Sequence, residues 1–516
     1  MKTVTKIMRT LPILSVGVLV LLLMGSFEAF AQRTVQVSQG FGTLNQAISS
    51  DTTETGERVD SNTVYVLSSG GLYLLDGAIE HRDYHLTIVA EDGYTERPRL
   101  IPAVPTGGSS DRAFRPRGDL TLRGLFFTNE NEFGTRDELR IIRMSANDMT
   151  VIVDDCIMTG DNQSGFRVDG SGSRIFITNS IVSNIGITSD PNNGRGIDDR
   201  GNPIHTVYFE NSTFYNLTSQ ALRDQGDIIE RVYVNQNTFV NTGRFQVLEM
   251  GQVANATVTN NIFYNTTILG DDEEALSQIS MLPLNEEQIA EFGEQTATIR
   301  WNNFFVDPAI LDAYPDTVFA PVNFDSLTAT FVSAADSATM LNEDIQFTNG
   351  PATPTDVVTA WWADQSGDIP PYDTEDEGES FDFSYPGTQA SATAAGDGGE
   401  LGARTWFGVL TSNEEEESGS LTTPTSFELL GNYPNPFNPT TNIAFSLPEA
   451  SVVSVEVFNI VGQRVMTIPA QRFTAGANQN INIDASSLSS GIYLYRISAR
   501  SATNTMLQTG RMTLIK

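Results

Sequence analysis

Short runs of alternating apolar and polar positions recur through the middle of the chain. Residues 207–209, 232–234 and 257–258 are examples, and each run is followed by an asparagine-containing unit. A period of two places every second side chain on the same face, so these runs predict β-strands with one buried face. The units lack a 3.6-residue period and are rich in β-branched and aromatic residues, which argues against a helical solenoid.

The asparagine units form an internal repeat. They include NSIVSN at 179–184, NSTFYN at 211–216, QNTFVN at 236–241 and NNIFYN at 260–265. Units begin at positions 124, 155, 179, 211, 236, 260 and 302, so the intervals share a minimum near 24 residues. A coil of short strands with loops inserted at its corners would give this spacing, whereas a propeller needs longer repeats. Asn tolerates the left-handed conformation of a sharp corner, and stacked amides can hydrogen-bond along the axis.

The repeat resembles the pectate-lyase-like superfamily of right-handed parallel β-helices, over about residues 33–409. The run FGTLNQAI at 41–48 resembles the amphipathic helix that caps the first coil of such proteins. A solenoid needs a cover over its exposed terminal coil. The run GELGARTWF at 399–407 is similar to their closing coil. The resemblance implies an all-β domain, a right-handed parallel β-helix over residues 32–409.

The last part of the chain is predicted to be a separate, small, immunoglobulin-like β-sandwich. An acidic linker at 410–425 precedes it, and short strand-like runs at 443–447, 452–458, 480–483 and 491–496 follow. The runs NYPNPFNPTT at 432–441, NIVGQRV at 459–465 and RMTLIK at 511–516 closely resemble the type A sorting domain of the type IX secretion system. This resemblance implies that residues 426–516 engage the type IX secretion machinery, and that the body is secreted or attached to the cell surface. A generic carbohydrate-binding domain is the alternative.

The chain begins with a predicted signal peptide at residues 1–31. Lys2, Lys6 and Arg9 precede an apolar run, and the segment closes with Ala29-Phe30-Ala31. No other segment is apolar enough to cross a bilayer, so the mature chain is expected to have no membrane-spanning segment.

Composition narrows the set of partners. The formal net charge is −34, and lysine occurs only at positions 2, 6 and 516. Such an acidic chain is a poor partner for nucleic acid or anionic lipid, and its self-repulsion favours a salty habitat where charges are screened. The single cysteine, Cys156, excludes an intrachain disulfide and lies in an apolar run that predicts a buried position.

A second column of strands carries charges at alternate positions. Its apolar residues would point inward, leaving a stripe of outward side chains made of Arg143, Arg167, Asp169, Asp198, Arg223 and Glu249. In the superfamily that the repeat resembles, such a stripe lines a groove for an extended polysaccharide, and guanidinium groups suit uronate carboxylates. The alternative is a solvated face with ion pairs between coils.

The resemblance implies a polysaccharide lyase that cleaves uronic-acid glycans by β-elimination. Such an enzyme must neutralise the sugar carboxylate, remove the adjacent proton and protonate the leaving oxygen. The predicted roles are catalysis by Arg223, Arg167 and Asp198, substrate binding by Arg143, Asp169 and Arg200, and Ca²⁺ binding by Asp199, Asp224 and Glu249. Relatives with a Lys and Arg pair cannot be matched, because residues 7–515 contain no lysine.

Two other functions stay open from the sequence. Asp198 and Asp199, with His205 nearby, suggest a glycoside hydrolase, although adjacent strand residues face opposite sides unless the strand bulges. A non-catalytic surface or adhesive protein is the alternative from another class, because this architecture serves both uses.

Overall fold

A computed structural model defines the fold over most of the chain. It describes residues 33–53, 57–104, 108–370, 372, 380–407, 427–433, 437–448, 451–459, 463–473, 476–501 and 505–514. The chain divides into two compact units, residues 1–409 and 410–516. The predicted signal peptide (1–31) and acidic linker (410–425) lie outside the described residues, so both stay predictions.

The first unit is a parallel β-helix built from three stacks of short strands. The first stack contains Ile79–Arg82, Phe114–Arg117, Arg140–Met144, Ser164–Val168, Arg195–Asp198, Gln220–Arg223, Leu248–Thr259, Ser277–Leu282 and Val322–Phe324. The second contains Thr34–Val37, Val64–Leu67, Leu86–Ala90, Leu120–Arg123, Thr150–Asp154, Ser173–Thr178, Ile204–Glu210, Ile229–Asn235, Leu248–Thr259 and Thr296–Arg300. The long strand Leu248–Thr259 belongs to both and joins them into one 18-stranded sheet.

The third stack is a separate ten-stranded sheet. Its strands are Gly40–Phe41, Leu72–Leu75, Arg99–Pro102, Phe126–Thr128, Ile157–Asp161, Ile181–Ile185, Thr213–Leu217, Thr238–Thr242, Ile262–Tyr264 and Asn303–Phe305. Inside this stack, the rings of Phe214, Phe239, Phe263 and Phe304 lie one above the other with successive centroids 5.0, 5.0 and 4.8 Å apart. At this stack, the interior of the coil is therefore an aromatic column.

The asparagine units lie at equivalent corners of successive coils, as predicted. The residue two positions before six of the third-stack strands has a left-handed backbone, with φ between 51° and 60° at Asp155, Asn179, Asn211, Gln236, Asn260 and Trp301. A second left-handed set lies at the ends of four of these strands, at Asn184, Asn216, Asn241 and Asn265. The Asn211 amide donates to Asn179 Oδ1 at 2.7 Å, so equivalent amides do bond along the axis.

A buried ladder of side chains runs beside these corners. In each coil a backbone N–H donates to a side-chain acceptor in the next coil, and we call this set the inner ladder. Its members are Cys156, Ser180, Ser212, Asn237, Asn261 and Asn302. All are at most 2% exposed. The ladder satisfies backbone donors that would otherwise be buried without a partner where the chain turns.

Cys156 takes the place of a serine in this ladder. Its thiol donates to the Asp154 carbonyl two residues earlier and accepts from Leu125 N at 3.5 Å. Ser180 repeats the pattern, since its hydroxyl donates to the Thr178 carbonyl and accepts from Cys156 N. The predicted buried position of Cys156 is confirmed, and burial raises the pKa of its thiol to about 12.

We therefore expect Cys156→Ser to change the free energy of unfolding by less than ~1 kcal/mol, because the hydroxyl makes the same two bonds. Cys156→Val leaves Leu125 N buried without an acceptor and should lower the free energy of unfolding by ~1–3 kcal/mol. Urea unfolding measures both. A serine variant as unstable as the valine variant would contradict the role of position 156 in the ladder.

The two ends of the coil are finished differently. The helix Thr43–Ser49 buries Leu44 and Ile48 over the first coil, so the predicted cap is confirmed. The predicted closing coil at 399–407 is wrong. Trp406 Nε1 donates to Thr213 Oγ1 at 2.7 Å, and Ala403 N donates to Thr238 Oγ1 at 2.9 Å. This segment runs back along the outside of the third stack, because the outward rings there need a cover.

Helices occur only as short elements outside the stacks in the part of the chain that the structure describes. Besides the cap, the α-helices are Glu286–Phe292, Pro308–Asp312, Ala334–Ser337 and Thr355–Ala363, and the 3-10 helices are Thr328–Phe331, Ala390–Thr393 and Arg404–Phe407. Across the described ranges, none of these helices has the length and apolar character needed to span a bilayer.

The second unit is an antiparallel β-sandwich. One sheet has the strands Glu428–Tyr433, Thr440–Leu447 and Gly476–Asp484, and the other has Arg464–Phe473, Ser451–Asn459, Gly491–Arg500 and Thr505–Leu514. Inward residues of both sheets, such as Ile443, Phe445, Val455 and Tyr495, form a core of its own. The predicted small sandwich is confirmed.

Candidate functional site

Four predicted site residues occupy one position in four neighbouring strands of the first stack. Arg143 pairs with Arg167, Arg167 with Asp198, and Asp198 with Arg223. Glu249 lies in the next strand at the same position, because Leu248 before it pairs with Leu222. The residues paired beside this column point into the core: Ile142, Phe166, Ile197 and Leu222. The alternation thus places the charged side chains on the outside of the coil.

Asp169 joins two of these arginines. Its two carboxylate oxygens accept from Arg143 Nε and Arg167 Nε, each at 2.6 Å. Asp169 has a lowered pKa, because the hydrogen bonds and charges of both arginines outweigh the effect of its burial. The pairing fixes the two guanidinium groups in position.

Asp198 is fully buried within a ring of arginines. The nitrogen–oxygen distances are 3.5 Å to Arg223, 3.7 Å to Arg195 and 3.8 Å to Arg200. Its Oδ2 atom accepts no hydrogen bond within the described residues. The predicted catalytic residues Arg223 and Asp198 and the predicted substrate-binding Arg200 therefore meet, but Asp198 is neutralised from three sides.

Of the three carboxylates predicted for Ca²⁺, Glu249 lies in the stripe, whereas Asp199 bonds to backbone N–H groups. Asp199 Oδ1 accepts from Gly201 N at 3.1 Å and from Gln225 N at 3.0 Å. Burial and a hydrogen bond to Asp199 raise the pKa of Asp224 to about 8, and burial also raises the pKa of Asp199 and Glu249. Within the described residues, no group of three His, Cys, Asp or Glu side chains is arranged to hold a metal ion.

These residues do not fit a calcium centre. Asp199 uses its carboxylate for backbone N–H donors, and Asp224 shares a hydrogen bond with it rather than offering free oxygens. Glu249 accepts from Gln220 Nε2 at 2.8 Å. Calcium binding stays a prediction that this arrangement does not support, and no chemical step is derived through it.

The sequence pattern missed most of the positive charge on this face. Strands of the first stack from Ile79–Arg82 to Gln220–Arg223 carry eight arginines against the two carboxylates Glu80 and Asp198. We call the eight the arginine face: Arg82, Arg115, Arg117, Arg140, Arg143, Arg167, Arg195 and Arg223. Six of them lie at outward positions, whereas Arg140 and Arg195 precede the inward-facing Ile142 and Ile197 by two residues. The signal was present, because Ile79–Arg82 and Phe114–Arg117 alternate apolar and charged residues like the later strands.

Several guanidinium nitrogens of this region lack an acceptor. Arg115 Nε, Arg140 Nε, Arg195 Nε and, next to the face, Arg112 Nη1 are buried without a hydrogen bond among the described residues. Burial and the neighbouring Arg167 charge lower the pKa of Arg140, and burial and Arg223 lower that of Arg195. The face therefore holds donors and positive charge that the described protein groups do not fully satisfy.

His205 does not join the aspartates. It lies in Ile204–Glu210 of the second stack, where its ring contacts Thr206 and lies 3.6 Å from Glu230. Asp198 and Asp199 face different partners, as expected for adjacent residues without a bulge that would turn both outward. The arrangement suggested for a glycoside hydrolase is therefore not assembled.

Comparison with known proteins identifies the second unit. A family model described as a secretion system C-terminal sorting domain matches residues 432–507. This confirms the type IX sorting domain predicted from the sequence motifs, and it indicates that the protein is exported and then secreted or attached to the cell surface. The sorting tail also implies interaction with the secretion machinery.

The remaining comparisons add little. No curated protein matches the chain. Among solved structures, the chain is similar to the crystal structure of dimeric latent PorU from Porphyromonas gingivalis, with 17% identity, 18% of this chain and 10% of that chain covered, and a TM-score of 0.15. A similarity of this extent informs neither the fold nor the function of the β-helix.

Proposed function

We propose that the exported β-helix binds an extended anionic polysaccharide, one bearing carboxylate groups, along the arginine face. The observation that carries this proposal is the excess of eight arginines over two carboxylates in six neighbouring strands, in a chain whose formal charge is −34. A local positive field on an acidic protein attracts anionic ligands to that face, whereas the negatively charged faces repel them.

The shape of the face suits a long polymer rather than a small anion. Neighbouring strands lie ~4.8 Å apart, so six strands extend about 24 Å along the coil axis. Guanidinium forks at regular spacing can each hold a planar carboxylate through two hydrogen bonds.

The contacts of the candidate catalytic residues favour binding over cleavage. Arg143 and Arg167 are held by Asp169, and Asp198 is ringed by cations. A general base must reach the proton that it removes, and Asp198 is fully buried. Lyase activity stays a prediction from the resemblance, and a non-catalytic role in surface attachment or adhesion fits these contacts better.

We expect Arg140→Gln to weaken the binding of polygalacturonate at least about tenfold, because a hydrogen bond to a charged group contributes ~1.5–3 kcal/mol. Arg140 makes no ion pair among the described residues, so its loss leaves no carboxylate unpaired. Isothermal titration calorimetry at low and high salt measures the affinity, which should fall as ionic strength rises.

Arg123→Gln is the matched control. It makes the same charge change on the second stack, where Arg123 pairs with Asp154 at 2.9 Å, and it should leave binding unchanged. Equal effects of the two substitutions would contradict a defined site and leave only a general charge effect. Absence of binding to pectate, alginate and chondroitin alike would refute the proposal.

A separate assay tests cleavage. The wild-type protein is incubated with the same glycans with and without Ca²⁺, and the absorbance of unsaturated uronate product is followed. We expect binding without product. Product formation that Arg223→Gln abolishes would instead support the lyase prediction.

A further inference from the structure

A cavity lies outside the third stack, on a different face of the coil from the arginine face. Its volume is about 1070 Å³, which is at the upper end for ligand sites. Phe126, Thr128 and Thr159 form its floor, since their neighbours Phe127 and Met158 point into the core. We call this cavity the third-stack cleft.

One wall of the cleft is a loop fixed by its own hydrogen bonds. Asn131 Oδ1 accepts from Phe133 N at 3.0 Å and from Thr135 N at 3.1 Å. Arg136 Nε lies 3.2 Å from Glu130 Oε2 across the base of the same loop. A wall held in this way is formed before any ligand arrives, so binding does not have to order it.

The charges that line the cleft balance. Arg99 and Arg136 face Glu130 and Glu132, and the other lining side chains are amides, hydroxyls or apolar groups. The Arg99 guanidinium stacks on Phe126, 3.9 Å from the ring centroid. A cleft with paired charges and many neutral donors and acceptors favours an uncharged, hydroxyl-rich ligand, unlike the arginine face.

An exposed aromatic residue adjoins the cleft in sequence. Phe133 is 74% exposed and lies between the lining residues Glu132 and Gly134. An exposed Phe on a rigid loop offers an apolar face against which the C–H face of a sugar ring can pack. Amide and hydroxyl groups that line the cleft, such as those of Asn184 and Thr159, can then exchange hydrogen bonds with sugar hydroxyls.

We infer that the third-stack cleft binds an uncharged oligosaccharide, with Phe133 as its stacking platform. This site is independent of the proposed anionic site and would give the exported coil two glycan-binding faces of different charge preference.

The test uses the full-length exported chain and uncharged glucan, mannan and xylan hexasaccharides as probes, with binding measured by saturation-transfer NMR and calorimetry. At least one probe should bind, and Phe133→Ala should weaken it about tenfold through loss of the stacking surface. Phe133 is exposed, so the variant should fold normally. Phe319→Ala is the matched control, because Phe319 is also exposed, at 48%, but neither it nor its neighbours in sequence line the cleft.

Two further measurements separate the sites. Excess polygalacturonate should not displace the bound probe, and Arg140→Gln should leave probe binding unchanged. Binding by none of the uncharged probes, an unchanged affinity in Phe133→Ala, or competition by polygalacturonate would each overturn the inference, while leaving binding of polygalacturonate itself as a separate test of the arginine face.

Discussion

Asn261→Leu should lower the free energy of unfolding of the β-helix by about 4 kcal/mol, because each buried polar group left without a partner costs ~1–3 kcal/mol. Asn261 Oδ1 accepts from Asn237 N at 2.8 Å, and its amide donates to the Val234 carbonyl and to Asn302 Oδ1, each at 3.0 Å. Leucine has a similar shape but satisfies none of these groups. Urea unfolding followed by tryptophan fluorescence measures the change.

The readout is specific to the first unit, since the chain has four tryptophans and all lie between positions 301 and 406. Asn255→Leu is the control, because Asn255 is exposed and bonds only Thr296 through its side chain. That substitution should cost less than about 1 kcal/mol. Equal losses in the two variants would show that the inner ladder adds no more stability than a surface amide.

The sequence alone was enough to predict the coil, because its corners have a local chemical requirement. Left-handed corners favour Asn or Gly, and stacked coils need a side-chain acceptor beside each corner, so the same residue pairs recur. Asn260 and Asn261 fill these two roles in one coil. The ladder role of Cys156 could not be predicted from composition, since it depends on contacts with residues two dozen or more positions away.

Elements without a recurring corner were harder to predict. Residues 270–296 contain no such corner, yet Ser277–Leu282 is a strand of the first stack. Its polar residues are buried because the coil and Thr328 cover them, as in the bond from Met281 N to Thr328 Oγ1 at 2.9 Å. Likewise, the path of residues 399–407 depends on which outward rings need a cover, which a linear pattern does not reveal.

The sequence predicted which side chains of the candidate site point outward, but not which neighbouring groups they contact. Alternation placed Arg167 and Arg223 on the outside of one stack. It could not show that Asp198 is buried among arginines, or that Asp199 turns to backbone N–H groups, because both depend on residues from neighbouring coils. The calcium prediction treated the nearby carboxylates as free ligands. In the structure, the loop from Asp199 to Gly201 directs the Asp199 carboxylate to backbone N–H groups.

Asp224→Asn should stabilise the β-helix at alkaline pH. The pKa of Asp224 is raised to about 8 in the folded protein, from an ordinary value near 3.8, by burial and by its bond to Asp199. The folded state therefore binds an extra proton between these values, and its stability falls as pH rises through that window. Asparagine keeps a hydrogen-bond donor for Asp199 but has no proton to lose.

Below about pH 4 the variant and the wild type should differ little, whereas at about pH 8 the variant should be more stable by a few kcal/mol, roughly the difference that a shift of several pKa units represents. Urea unfolding at constant ionic strength across this range measures the slope of stability against pH. Asp92→Asn, in an exposed turn, is the matched control and should leave that slope unchanged. A parallel pH profile for Asp224→Asn and the wild type would show that Asp199 and Asp224 do not share a proton, and that their proximity carries no energetic cost.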